Sequence, residues 1–183
     1  MSEAVGSTEQ DAIRAGYLEL VELPGERGFR AGLLVINEHG YPLEFYCTTP
    51  IRPTKTQRLL YGTALRPYIV CQLLGRTLLH HLKLHPMVLF VSDPTFLAMR
   101  PVSSIPIVCL SAEDETLPPW VSNSIWKGRR SRLTLVVHGK HSDDAEVASE
   151  VLDRLQDYND PLEPLQRIRS AIEQTSGVTR SPK

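Results

Sequence analysis

Five apolar residues in a row, MVLFV from Met87 to Val91, stand between Pro86 and the turn signal Ser92-Asp93-Pro94. A strand with one face in water alternates apolar and polar residues. An unbroken run of this length fits a strand covered on both faces, as the central strands of parallel sheets are. A strand of that kind needs a layer of structure on each side, which places the chain in the α/β class, with α+β as the variant.

The segments around it supply those layers. YLELVEL from Tyr17, AGLLVIN from Ala31 to Asn37 and PLEFYC from Pro42 to Cys47 are strand-like, with turn signals at Pro24-Gly25 and Gly40. They predict an antiparallel meander. In the third strand Leu43, Phe45 and Cys47 share one side and Glu44 and Tyr46 the other, the alternation of a half-buried strand. A short helix capped by Thr54 runs to Tyr61, and a longer one from Pro67 to about Leu84 carries an apolar stripe of Val70, Leu73, Leu74, Leu78 and Leu82. Beyond MVLFV come a short helix from Asp93-Pro94 to Arg100, strands at IPIVCL and LTLVV, and two C-terminal helices. The first of these two is capped by Ser142, and the second carries Leu162, Leu165, Ile168 and Ile172 on one face. The expectation is a mixed sheet of about six strands within a single domain over 15–174, flanked by a flexible arm over 1–14 and a disordered tail over 175–183.

The formal net charge is −1, yet residues 27–100 hold nine bases and three acids, whereas 143–173 hold nine acids and three bases. Binding to nucleic acid by bulk charge is thereby excluded, and a protein with one basic and one acidic face is not. Cys47, Cys71 and Cys109 lie apart in apolar stretches and read as reduced, buried thiols. Acids occupy the N-terminus, where a signal peptide needs bases, so the expected setting is cytoplasmic, with no membrane span.

Candidate functional residues fall into three groups. Arg52, Lys55 and Arg58 surround the start of the short helix, where free N–H groups favour an anion. The stretch from Ser111 to Ser131 reads as a long irregular loop, with Trp120 and Trp126 beside Lys127, Arg129, Arg130 and Arg132; a stiff basic loop with aromatic anchors suits a protein partner and also nucleic acid. The competing role for the two tryptophans is a lid on the core. His81 and His85, one helical turn apart and next to His80, could meet His138 and His141 and so hold a metal together with Asp93, although no metal-binding motif such as HExxH occurs. The simpler role for Asp93 is the N-cap ahead of Pro94.

The order of meander, helix, strand, helix, strand and later strand plus helix resembles that of ribonuclease-H-like domains. The resemblance implies acids on the first strand, the long helix, the end of the fourth strand and the last helix, holding two Mg²⁺ ions for phosphodiester displacement. Asp93 and Asp143 or Asp144 match the last two positions. The first strand offers Glu19 and Glu22, and the long helix carries no acid. A meander followed by a helix also resembles longin and roadblock-type regulatory modules. The leading expectation is a non-catalytic binding or regulatory module without cofactor, acting on a protein partner through the Trp-containing loop, or on itself as a homodimer through an exposed strand or through the basic and acidic faces. The alternative is a metal-dependent hydrolase or nuclease on the ribonuclease-H-like architecture.

Overall fold

The computed structural model describes residues 12–24, 28–111, 119–129, 131–157 and 160–175. The meander forms as β1 (Arg14–Leu23), β2 (Gly28–Asn37) and β3 (Pro42–Cys47). Helix α1 (Lys55–Tyr61) follows, then, after the 3₁₀ turn Gly62–Ala64, helix α2 over 65–81, whose middle, Tyr68–Gly75, is π-helical. The rest comprises β4 (Val88–Val91), a 3₁₀ segment (Pro94–Val102), β5 (Ile107–Ser111), β6 (Val121–Lys127), β7 (Arg132–His138), α3 (Asp144–Leu155) and α4 (Glu163–Thr175).

The strands form one mixed sheet in the order β3-β2-β1-β4-β5-β7-β6. β1, β4 and β5 run parallel, and the outer pairs are antiparallel. All four residues of β4 are buried, as a strand lying between two parallel neighbours requires. Its alternate side chains enter two cores. Phe90 joins Tyr17, Leu34 and Val108 beneath α3 and α4, and Leu89 joins Leu18, Leu33 and Ile107 beneath α2. Both cores are apolar layers of the usual α/β kind.

Several expectations need correction. The sheet has seven strands among the described residues, because Val121–Lys127 is a strand and not part of an irregular loop. Of the remainder of that stretch, 112–118 and Arg130 lie outside the described residues. Helix α2 stops at His81 because the N–H groups of Lys83 and Leu84 donate to the Glu44 carboxylate on β3, each at 3.2 Å, instead of continuing the helix. That contact turns Glu44 and Tyr46 towards α2. Leu43, Phe45 and Cys47 are left exposed on the other side, where α4 lies over β1 and β2. Cys47 is therefore not a buried thiol, whereas Cys71 and Cys109 are buried. Helix α3 is preceded by Asp143, not Ser142, at its cap position, and no side chain caps it. Ile13 is buried and Arg14 opens β1; residues 1–11 of the expected arm and 176–183 of the expected tail lie outside the described residues. Among the described residues no helix is long and apolar enough to cross a membrane.

Candidate functional site

In open α/β sheets ligands bind beyond the carboxyl ends of the parallel strands. At that edge Glu19, well along β1, pairs in register with Gly32 of β2. The bare Gly32 backbone lets α4 ride close, since a Cβ there would come within 2.5 Å of Ile168 Cγ2. Arg169 of α4 thereby reaches Glu19: its Nε donates to Oε1 at 3.1 Å and its Nη2 donates to the same oxygen. The hydroxyl of Ser92, just after β4, donates to Oε2. Glu19 is 1% exposed, and the guanidinium side chain that neutralises it is 57% exposed. A buried carboxylate without such a partner costs several kcal/mol, so the pair is obligatory for the fold. The Arg169 guanidinium is held even more firmly protonated by its hydrogen bond to Glu19 and by that charge.

Asp93, next along the same edge, is the N-cap of the 3₁₀ segment, its Oδ1 accepting from the Thr95 N–H at 2.8 Å. Its Oδ2 accepts from Arg66 Nη2 at 2.5 Å, and Arg66 Nη1 donates to Glu22. Arg66 is 41% exposed and Asp93 16%. Burial pulls the Arg66 guanidinium towards its neutral form, but the Glu22 hydrogen bond and the Asp93 charge outweigh it and raise the pKa. Behind Asp93, burial together with the Asp93 charge pushes the Cys71 thiol up to about 11. Its S–H donates to the Thr95 carbonyl at 3.1 Å, so it is an inert core thiol and not a nucleophile.

Two groups of bases flank these residues. The bridge between Phe29 and Ile51 lays the chain around Arg52 beside the start of β2, level with the end of β1, and α1 follows with Lys55 and Arg58. On the other flank Ser111 of β5 pairs with Thr134, so β7 begins at the same edge, and Arg132 faces Lys127 across the β6–β7 turn. Arg129 in that turn is held by Asp157 at 2.6 Å. Arg130 is outside the described residues. At the start of α1 a capping box forms, in which Thr54 Oγ1 accepts from the Gln57 N–H and Gln57 Oε1 from the Thr54 N–H. Tyr61 and Tyr68, both exposed, bracket Arg66 in the chain with ring centroids 5.1 Å apart.

The tryptophans part company. Trp126 is buried, its ring lies against Gly128 and its indole N–H donates to Asp153 at 2.9 Å, so it is a lid on the core and not an anchor for a partner. Trp120 is exposed at the opposite end of β6, against His138, and therefore cannot act with Lys127 and Arg132.

The metal candidates do not converge either. His81 Nδ1 donates to the Thr77 carbonyl (2.8 Å) at the end of α2, with His85 just beyond it, and β4 itself separates His85 from Asp93. His138 and His141 pair at 5.6 Å at the amino end of β5, and the His138 imidazole is biased towards neutral by burial and by the charges of His141, Lys140 and Arg100. Among the described residues no three His, Cys, Asp or Glu side chains gather to hold a metal. The two-ion site of the ribonuclease-H-like resemblance does not fit. Both oxygens of Glu19 and both of Asp93 already accept protein hydrogen bonds. Asp144, at the other end of the sheet from Asp93, is taken by Arg100 at 2.5 and 2.9 Å. Arg66, Arg169 and Ser92 were not singled out by the sequence; the available signal was Glu19 itself, a lone acid at an inward position of an apolar strand, which demands a partner.

No protein-family model and no curated protein matches this chain. Solved structures do. Endonuclease V of Ciona intestinalis, in complex with a 24mer DNA containing an inosine followed by a ribo-adenosine, is 10% identical with a TM-score of 0.59, covering 92% of this chain and 88% of that one. Endonuclease V from Bacillus subtilis is 11% identical with a TM-score of 0.54, covering 91% and 84%. At such identities the likeness is one of fold. The expected non-catalytic protein-binding module is thereby corrected: its loop is a strand, its anchor Trp126 is buried, and the solved structures whose fold the chain shares are those of endonucleases.

Proposed function

We propose that this protein is a nucleic-acid-binding member of the nuclease fold class, taking a phosphodiester strand along the carboxyl edge of β1, β4 and β5. The observation that carries this reading is the arrangement of bases along that edge: Arg52, Lys55 and Arg58 on one flank, Lys127 and Arg132 on the other, with Arg66 and Arg169 between them. A cationic track with exposed rings beside it, here Tyr61 and Tyr68, suits a strand whose phosphates are met by charge and whose bases can stack. The likeness to endonuclease V structures, one of them seen with DNA, supports the same reading. With Cys47, Cys71 and Cys109 as thiols, a reducing cytoplasm is the setting this reading takes, which thiol labelling in fresh lysate checks.

The test is a titration of labelled single- and double-stranded DNA and RNA, read by anisotropy for binding and on a denaturing gel for scission. Binding should weaken steeply with salt, and Lys55→Glu/Arg58→Glu and Lys127→Glu/Arg132→Glu should each weaken it by about tenfold or more. Binding that is absent, or indifferent to charge reversal on both flanks, sinks the proposal.

A further inference from the structure

The edge where the fold likeness leads one to look for carboxylates around a divalent ion holds guanidinium groups. We infer that Arg66 and Arg169 stand in for that ion, meeting the phosphate oxygens of a bound strand directly, so that association at this edge needs no metal. The inference rests on the nucleic-acid reading above and adds which groups contact phosphate there and by what chemistry.

The argument starts from donor and acceptor accounting. A divalent cation such as Mg²⁺ or Mn²⁺ is held by carboxylates whose charge is available to it, and a guanidinium already on the carboxylate both neutralises that charge and repels the ion. Glu19 accepts from Arg169 at Oε1 and from Ser92 at Oε2; Asp93 accepts from Thr95 at Oδ1 and from Arg66 at Oδ2. Bringing in an ion would mean stripping the guanidinium from a carboxylate that is 1% exposed. The arginines are placed the other way round: each grips a sunken carboxylate with part of its fork and shows the rest to solvent, Arg169 at 57% and Arg66 at 41% exposure. A guanidinium has five N–H donors, more than these contacts use, and a fork already fixed by a carboxylate loses little freedom on meeting phosphate. Arg66 reaches the edge from the α2 face and Arg169 from the α4 face, and three carboxylates (Glu19, Glu22 and Asp93) against these two guanidiniums leave no net positive charge from the pairs themselves. Long-range attraction is therefore the work of the flanking bases, while Arg66 and Arg169 act at contact.

The experiment uses the full chain with a labelled oligonucleotide, in EDTA and in millimolar Mg²⁺ or Mn²⁺, together with calorimetric titration of Mn²⁺ into the protein alone. We expect Mg²⁺ and Mn²⁺ not to tighten binding relative to EDTA but to weaken it as added salt of equal screening does, and no saturable Mn²⁺ heat. Arg66→Gln should weaken binding by about five- to tenfold and lower the salt slope by about one. Glu19→Gln/Arg169→Gln, which neutralises both members of the buried pair, should do the same. Arg66→Gln, which leaves Glu22 exposed and Asp93 still bonded to the Thr95 N–H, carries the test if the double variant does not fold. Strand binding or scission that requires Mg²⁺ or Mn²⁺, saturable Mn²⁺ binding abolished by Glu19→Gln, or variants that bind as the unaltered protein does would each overturn the inference while leaving nucleic-acid binding in place. Failure of the unaltered protein to bind any strand removes both.

Discussion

Arginine–carboxylate pairs sit at both ends of the sheet, and they differ in which partner water can reach. At the amino end Arg100 and Asp144 are sealed together, at 14% and 5% side-chain exposure, and fasten the 3₁₀ segment to the start of α3. At the carboxyl end Glu19 and Asp93 are sunk, and the arginines bonded to them stand half in solvent. A guanidinium with both faces covered can serve only the fold. One anchored from below and open above keeps donors for a ligand, so pairs with the same chemistry divide into structure and recognition by solvent access alone.

The sharpest way to break this comparison is at the sealed pair. Arg100→Met strands the Asp144 carboxylate and should cost about 3–5 kcal/mol in denaturant unfolding, with strand affinity unchanged in the fraction that stays folded. Trp126→Ala should cost a similar 3–5 kcal/mol, again without a separate binding defect, because the ring is buried and bonded to Asp153. A large loss of affinity at constant stability in either variant would erase the distinction between the two ends.

Smaller effects sharpen it. The Cys71 thiol rises from 9.0 to about 11 in the fold, which favours the protonated form. The unfolded chain releases that proton first, so stability is intact below about pH 9 and declines towards pH 11, by up to about 2–3 kcal/mol. Cys71→Ser should flatten that decline in a pH series of melting curves. Arg66→Gln should cost about 1–2 kcal/mol, since Glu22 is exposed but the largely buried Asp93 loses its guanidinium, while reducing affinity. Trp120→Ala should change stability by about 0.5 kcal/mol or less and binding not at all, because the ring lies at the amino end.

Much of the architecture could be read from local pattern. Val88–Val91 of the unbroken MVLFV run became the buried β4, with Met87 left exposed just before it, and Thr54 and Asp93 cap the elements they precede. β6 escaped notice because, among VSNSIWK, only Trp126 is buried, so an outer strand with little apolar alternation looked like a loop. The side of β3 that faces solvent followed from Glu44 meeting Lys83 and Leu84, a contact across about 40 residues that no alternation reveals. The flanking bases were visible as clusters of charge. The heart of the site was not, because Arg66 lies 27 residues from Asp93 and Arg169 lies 150 from Glu19.

That last separation bears on how the chain is made. At about 5–20 residues per second, Arg169 is synthesised roughly 7–30 s after Glu19. Throughout that interval the emerging meander has its α4-facing surface bare, with Tyr17 and Leu34 uncovered. A charge in the middle of an exposed apolar sheet surface discourages neighbouring nascent chains from stacking on it. Glu19 therefore keeps one charge on that apolar surface until Arg169 is made and the carboxylate is buried, and Glu19→Leu should raise the aggregated fraction in a cell-free translation.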